Sequence, residues 1–243
     1  MALLEIDSIL DIIKLTLQTA YIKDTETPTN LLIIADPEHA KTKSMALFKI
    51  KGTYTTNNIT QAVVVSKILP MIENNGLKHL IIPGFLNAIE KDRTTRLGFL
   101  NLIKNLMEEG ITSLDSFNVR TEKVYNPPIQ CGLITGITSE SFIGWFDKTE
   151  QKFKGGVKYQ WRRIGLLSRF VPFSYQYELS KIRRIFKFIE KEENQNSMPK
   201  QSIQRKMVDV KGNSDLFSQL EILSMKLGAC MHASKKSPDF SES

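Results

Sequence analysis

Apolar residues along this chain recur at two different spacings, and the changes between them mark its elements. From Leu3 to Tyr21, apolar residues at Leu10, Ile13, Leu15 and Leu17 predict an amphipathic helix. A turn cluster, TETPTN (25–30), follows, and then the continuous apolar run LLIIA (31–35), which reads as a strand buried on both faces. Residues 41–51 predict a helix, the polar TYTTNNIT a short edge strand, and residues 60–74 a further helix. HLIIPGF (79–85) is a second buried strand, stopped by Pro83 and Gly84. Thr94 to Glu109 places Leu97, Leu100, Ile103 and Leu106 on one helical face, with Gly110 as its C-cap. CGLITGIT (131–138) is a third buried strand. A short helix and the Gly155-Gly156 loop lie between Ser139 and Arg163, and GLLSRFVPFSY (165–175) precedes a basic helix over Glu178–Glu193. Residues 194–213 read as a linker, and Asp215–Leu227 as a last amphipathic helix before a Ser/Lys-rich tail. There is no internal repeat. Helices alternating with apolar strands predict an α/β fold with a parallel sheet.

Composition narrows the class. The 243 residues are 41% hydrophobic and 24% charged, enough for a real core. No apolar run approaches the roughly 20 residues that span a bilayer, so no membrane partner is expected. The acidic start lacks the basic region of a secretory signal. Cys131 and Cys230 form no paired spacing, and His39, His79 and His232 are scattered. A reducing, cytoplasmic setting is the expectation.

Charge is unevenly placed. The net charge of +7 conceals about −2 over residues 1–147, +10 over 148–211 and −1 beyond. A basic block attracts polyanions by counterion release, which makes DNA the first partner to consider. A solvated helix face plus a basic linker is the plainer reading. Aromatics near the block (Trp145, Tyr159, Trp161, Tyr175, Tyr177) suit either base stacking or core packing.

The most informative stretch is LLII followed by Ala35, Asp36, Pro37, Glu38, His39, Ala40, Lys41 and Thr42 and then a helix. A phosphate loop needs a strand end, a tight turn and a helix N-terminus. Backbone amides surround the phosphates, a Lys reaches the β/γ oxygens, and a Ser/Thr hydroxyl holds magnesium. Lys41 and Thr42 occupy the last positions of G-x-x-x-x-G-K-S/T, and alanines replace both glycines. Ala35 places a Cβ where the turn favours positive φ. An ordinary strand–turn–helix with a surface lysine is the alternative. His39 reads as a solvent-facing spacer, and His79 as a core residue with its hydrogen bonds satisfied.

On these residues the chain resembles a AAA+ ATPase core over about residues 28–190. Its loop is similar to that of the minichromosome maintenance helicases, G-D-P-x-x-A-K-S. The resemblance implies a P-loop NTPase sheet flanked by helices, with ATP or ADP and Mg bound at a subunit interface. It implies that Thr138, ending CGLITGIT, is the sensor-1 residue beside the γ-phosphate. It also implies that Arg169 of Leu166-Leu167-Ser168-Arg169-Phe170 is a finger offered to a neighbouring subunit, since a guanidinium suits developing phosphoryl charge. Pairing of Arg169 with a local carboxylate is the competing reading. The basic helix becomes a reduced lid in which Arg183 or Arg184 serves as sensor 2, or else pairs with Glu190. The family's Walker B acid has no counterpart: His79-Leu80-Ile81-Ile82-Pro83-Gly84-Phe85 contains none, and Glu90 and Asp92 follow at least five residues later. That loss predicts weak or absent hydrolysis.

The expected organisation is a P-loop core over 1–175, a lid over 176–193, and a linker, helix and tail over 194–243. Three functions remain open. The first is a nucleotide-binding AAA+ protein assisting DNA loading or remodelling as a homo-oligomer or with a AAA+ partner. The second is a non-hydrolysing scaffold for an active partner, and the third a basic nucleic-acid-binding module that never takes nucleotide.

Overall fold

The opening periodicity folds as Asp7–Gln18 (α1), a helix that buries Ile9, Ile13 and Leu17. The computed structural model describes residues 7–23, 27–37, 39–89, 93–116, 119–146 and 165–183. Leu31–Ile34 (β1) follows, every residue buried, and then Lys41–Ala46 (α2). This helix stops short of the expected residue 51 because the Thr53 hydroxyl takes over its exit. Thr53 Oγ1 donates to the carbonyls of Phe48 (2.7 Å) and Ile50 (2.8 Å), giving the backbone an alternative to another helical turn.

Gly52–Thr55 (β2) is the short edge strand. The next helix runs in three pieces: Gln61–Val63 (α3), a π-helical stretch Val64–Ile68, and Leu69–Glu73 (α4). Pro70 explains the interruption, since it has no N–H to return to the preceding turn. Leu77–Ile82 (β3), Phe85–Ile89 (α5) and Arg93–Met107 (α6) come next. Gly110, at φ +79°, ends that last helix by donating to Asn105 O at 2.8 Å.

An antiparallel pair, Ile111–Ser116 (β4) and Val119–Ile129 (β5), stands apart from the main sheet. Gly132–Ile137 (β6), Ser139–Phe146 (α7), a 3-10 turn at Leu167–Arg169 and Val171–Ser174 (β7) complete the described elements.

The main sheet has five strands in the order β2-β3-β6-β1-β7, all parallel. Alternate residues divide the core between its two faces. Leu31, Ile33, Ile81 and Ile134 pack with α1, Met45 and Phe48. Leu32, Ile34, Leu80, Ile82 and Leu133 pack with Val64, Ile68, Phe99, Leu100 and Ile103 on the other side. The fold is therefore α/β, a parallel sheet flanked by helices, as the alternation of elements predicts. Among the described strands β7 is the edge strand, with Pro172 opposite Leu32.

β6 sits between β1 and β3, although it follows both in sequence. The chain leaves β1 towards the β2 edge and leaves β6 towards the β7 edge. Such a reversal opens a crevice beyond the carboxyl ends of the two strands.

The chain divides into two compact units, Met1–Lys206 and Met207–Ser243, and every described residue belongs to the first. The expected lid is described only as far as Arg183, with residues 179–183 helical, and residues 194–243 lie outside the described residues. Among the described residues, no helix is long and apolar enough to cross a membrane.

Candidate functional site

The crevice holds a cleft of about 440 Å³. Its walls are residues of the 37–43 segment after β1, Pro83, Gly84, Leu86 and Asn87 after β3, and Gly136, Ile137 and Thr138 at the end of β6. The loop starts at Ala35, which is fully buried and donates its N–H to Ile137 O at 3.3 Å, so the ends of β1 and β6 are tied together.

Lys41 begins α2 and reaches back over its own loop. Its Nζ donates to the carbonyl of Asp36 at 2.7 Å and to that of Ala35. Burial lowers its pKa from 10.5 to about 8, and the Asp36 carboxylate opposes that shift. Thr42 is exposed on the cleft wall. Lys41, Thr42 and Lys43, the first residues of α2, lie on the same wall, and a helix leaves its first amides without internal partners.

Two expectations for the loop change. Positive φ falls on Ala40 (φ 59°, ψ 12°) and not on Ala35, so the left-handed turn sits immediately before the lysine. A Cβ there is strained, and Ala40→Gly is expected to stabilise the protein by about 1 kcal/mol, read as a higher urea midpoint. An unchanged or lower midpoint counts against strain at this turn.

His39 is not a solvent-facing spacer; it is buried, at 6% exposure. Its Nδ1 lies 2.9 Å from Pro37 O, and its ring stacks on Tyr177 at 5.8 Å between centroids. Tyr175 packs edge-on to the ring at 6.4 Å, and its hydroxyl donates to His39 O. A short loop crossing beneath two tyrosines leaves its central side chain nowhere to go but inward. Tyr175 and Tyr177 thus pack against the loop. The side chain of Trp145, with Tyr159 and Trp161, lies outside the described residues.

His79 is a core residue but is only half satisfied. It hydrogen-bonds the Thr29 backbone while Nε2 is buried without a partner. Burial pulls its pKa from 6.5 down to about 4.

Of the remaining expected residues, Asp36 is half-buried beside Lys41, Pro37 is exposed on the cleft, and Glu38 lies outside the described residues. Thr138 does line the cleft, and it also caps α7. Its Oγ1 donates to Ser141 Oγ at 2.8 Å and accepts from Ser141 N at 3.2 Å.

Arg169 is elsewhere. It precedes β7 at the amino end of the sheet, opposite the cleft, where it pairs with Glu108 and donates to Gly165 O. Within one chain it therefore has the local carboxylate and no contact with the loop. Arg183 is exposed and does not line the cleft, and Arg184 lies outside the described residues.

Sequence reasoning missed Asn87 and Lys43 on the cleft wall. The Pro83-Gly84 stop was the available signal for Asn87, because residues just beyond a parallel strand's carboxyl end face the crevice. For magnesium, the described cleft residues offer the Thr42 and Thr138 hydroxyls and the Asn87 amide, with no carboxylate among them. A hard cation is poorly served by that set. No protein-family model and no curated protein matches this chain.

Proposed function

We propose that this protein binds the phosphates of ATP or ADP in the cleft at the carboxyl ends of β1, β3 and β6, with slow or absent hydrolysis. One observation carries the reading: Lys41 and the start of α2 form the wall of a crevice located where the sheet changes direction. The P-loop likeness of residues 35–42 supports it. The strand end expected to supply an acid contributes Pro83, Gly84, Leu86 and Asn87 instead, and none of these can take a proton from water. Assistance to a DNA transaction belongs to the same proposal and rests on the basic segment 148–211, most of which lies outside the described residues. The missing acid equally favours a non-hydrolysing AAA+ scaffold for an active partner. Turnover by the assembled complex, and not binding, separates the two readings.

The test is titration of the full chain with fluorescent ATP, alongside Lys41→Ala. The variant is expected to bind about 10- to 100-fold more weakly, the worth of one charge-assisted contact. Only the ammonium form of Lys41 attracts phosphate, and its pKa lies near 8. Affinity is therefore expected to fall by about eightfold between about pH 7.5 and about pH 9, and this dependence should vanish in Lys41→Ala. Absence of saturable binding in the parent protein would sink the nucleotide reading and leave the basic segment as the place to look.

A further inference from the structure

The side chains around the cleft bear on what accompanies the nucleotide. Described residues supply two ammonium groups, Lys41 and Lys43, the His39 imidazole, and the hydrogen-bonding side chains of Thr42, Thr138 and Asn87. The loop's described acid, Asp36, is engaged electrostatically with Lys41. Among the described residues, no three His, Cys, Asp or Glu gather anywhere as a metal-holding group. Magnesium bound with a nucleotide normally relies on one or two protein carboxylates besides the phosphates and its own waters. With no carboxylate among the described cleft residues, the phosphate charge is met by the donors those residues supply.

Asn87 is placed to be one of them. It is exposed on α5, and its Nδ2 lies 3.2 Å from where a Cβ on Gly84 would stand, so the amide folds back over the turn that ends β3. That turn borders the cleft on the side of the sheet order where β3 neighbours β6. An amide NH₂ donates to an anion at any ordinary pH.

We propose that the cleft binds a nucleotide polyphosphate without a divalent cation, with Lys41 and Lys43 balancing its charge and Asn87 Nδ2 donating to the distal phosphate. This rests on the phosphate-binding reading and specifies its chemistry. Lysines and amides aimed at phosphate oxygens form charge-assisted hydrogen bonds that need no bridging ion.

The experiment titrates the full chain with fluorescent ATP in excess magnesium and, separately, in EDTA. The two dissociation constants are expected to agree within about threefold. Asn87→Asp puts a carboxylate at the same place. It is expected to weaken binding in EDTA by about tenfold or more, with magnesium restoring part of the loss. Binding that is strong in magnesium and disappears in EDTA overturns this proposal while leaving the nucleotide reading intact. An Asn87→Asp variant that matches the parent in both buffers removes Asn87 from the site. Absence of binding in both buffers brings down the phosphate-binding reading, and this inference with it.

Discussion

Acidification from about pH 7 to about pH 4 is expected to remove about 3 kcal/mol of folding stability through His79 alone. The imidazole is 1% exposed on β3, and its ring stands directly over Gly132, where an added Cβ would come within 2.4 Å of Cδ2. Close packing of that kind leaves no room to hydrate a charge. The folded pKa near 4 lies below the ordinary 6.5, so between these values the unfolded chain takes up a proton that the folded chain refuses. The contribution is complete above about pH 6.5 and is lost as the pH falls towards 4. Carboxylates titrate over part of the same range, so the measurement is a comparison. Urea unfolding free energies of wild type and His79→Gln are followed from about pH 7 to about pH 4, and the variant should show the shallower decline. Parallel curves would mean that the ring is protonated in place.

The second large effect is expected at Asn30, where Asn30→Ala should destabilise the fold by about 3 kcal/mol. This side chain is buried just before β1 and links three separate segments. Its Oδ1 accepts from Leu133 N at 2.8 Å, and its Nδ2 donates to Arg169 O at 3.2 Å and lies 3.5 Å from Met107 O. Its own carbonyl accepts from Val171 N at 2.9 Å. Truncation leaves a buried N–H on β6 and a carbonyl before β7 without partners, and each such orphan costs about 1–3 kcal/mol. Thermal and urea unfolding of the variant read the loss directly. A change below about 1 kcal/mol would show that water or a backbone shift replaces the amide.

Asn30 also illustrates what the amino-acid pattern conceals. It stands at the end of TETPTN and looks like any other turn residue, because its partners are about 77 to 139 positions away. The buried strands were legible for the opposite reason. LLII, HLII and GLITGI are each largely apolar, with His79 and Thr135 as buried polar exceptions, as a sheet covered on both faces requires. The β4–β5 pair had no place in the pattern of apolar runs: Pro127 and Pro128 fall in β5 beyond Val124, where the pairing register shifts. His39 looked exposed because polar neighbours suggest solvent. Its burial is imposed by Tyr175 and Tyr177, which arrive after β7. The positions of Lys41 and Thr138 in the cleft followed from strand ends that were readable, but the identity of the facing wall did not. The Pro83-Gly84 stop put Asn87 just past a strand end, and the placement of β6 between β1 and β3 made that end a wall of the cleft.

Pro172 has a consequence for how copies of this chain can meet. In β7 the amides of Val171 and Tyr175 turn inward to Asn30 O and Ile34 O, so the alternate position, residue 172, faces outward. There the ring nitrogen offers no hydrogen. The strand is four residues long and lacks one of its outward donors, which makes it a poor template for a further strand and blunts edge-to-edge aggregation. Any assembly on that flank must therefore be built by side chains fitting side chains, and single surface substitutions can tune it without touching the sheet.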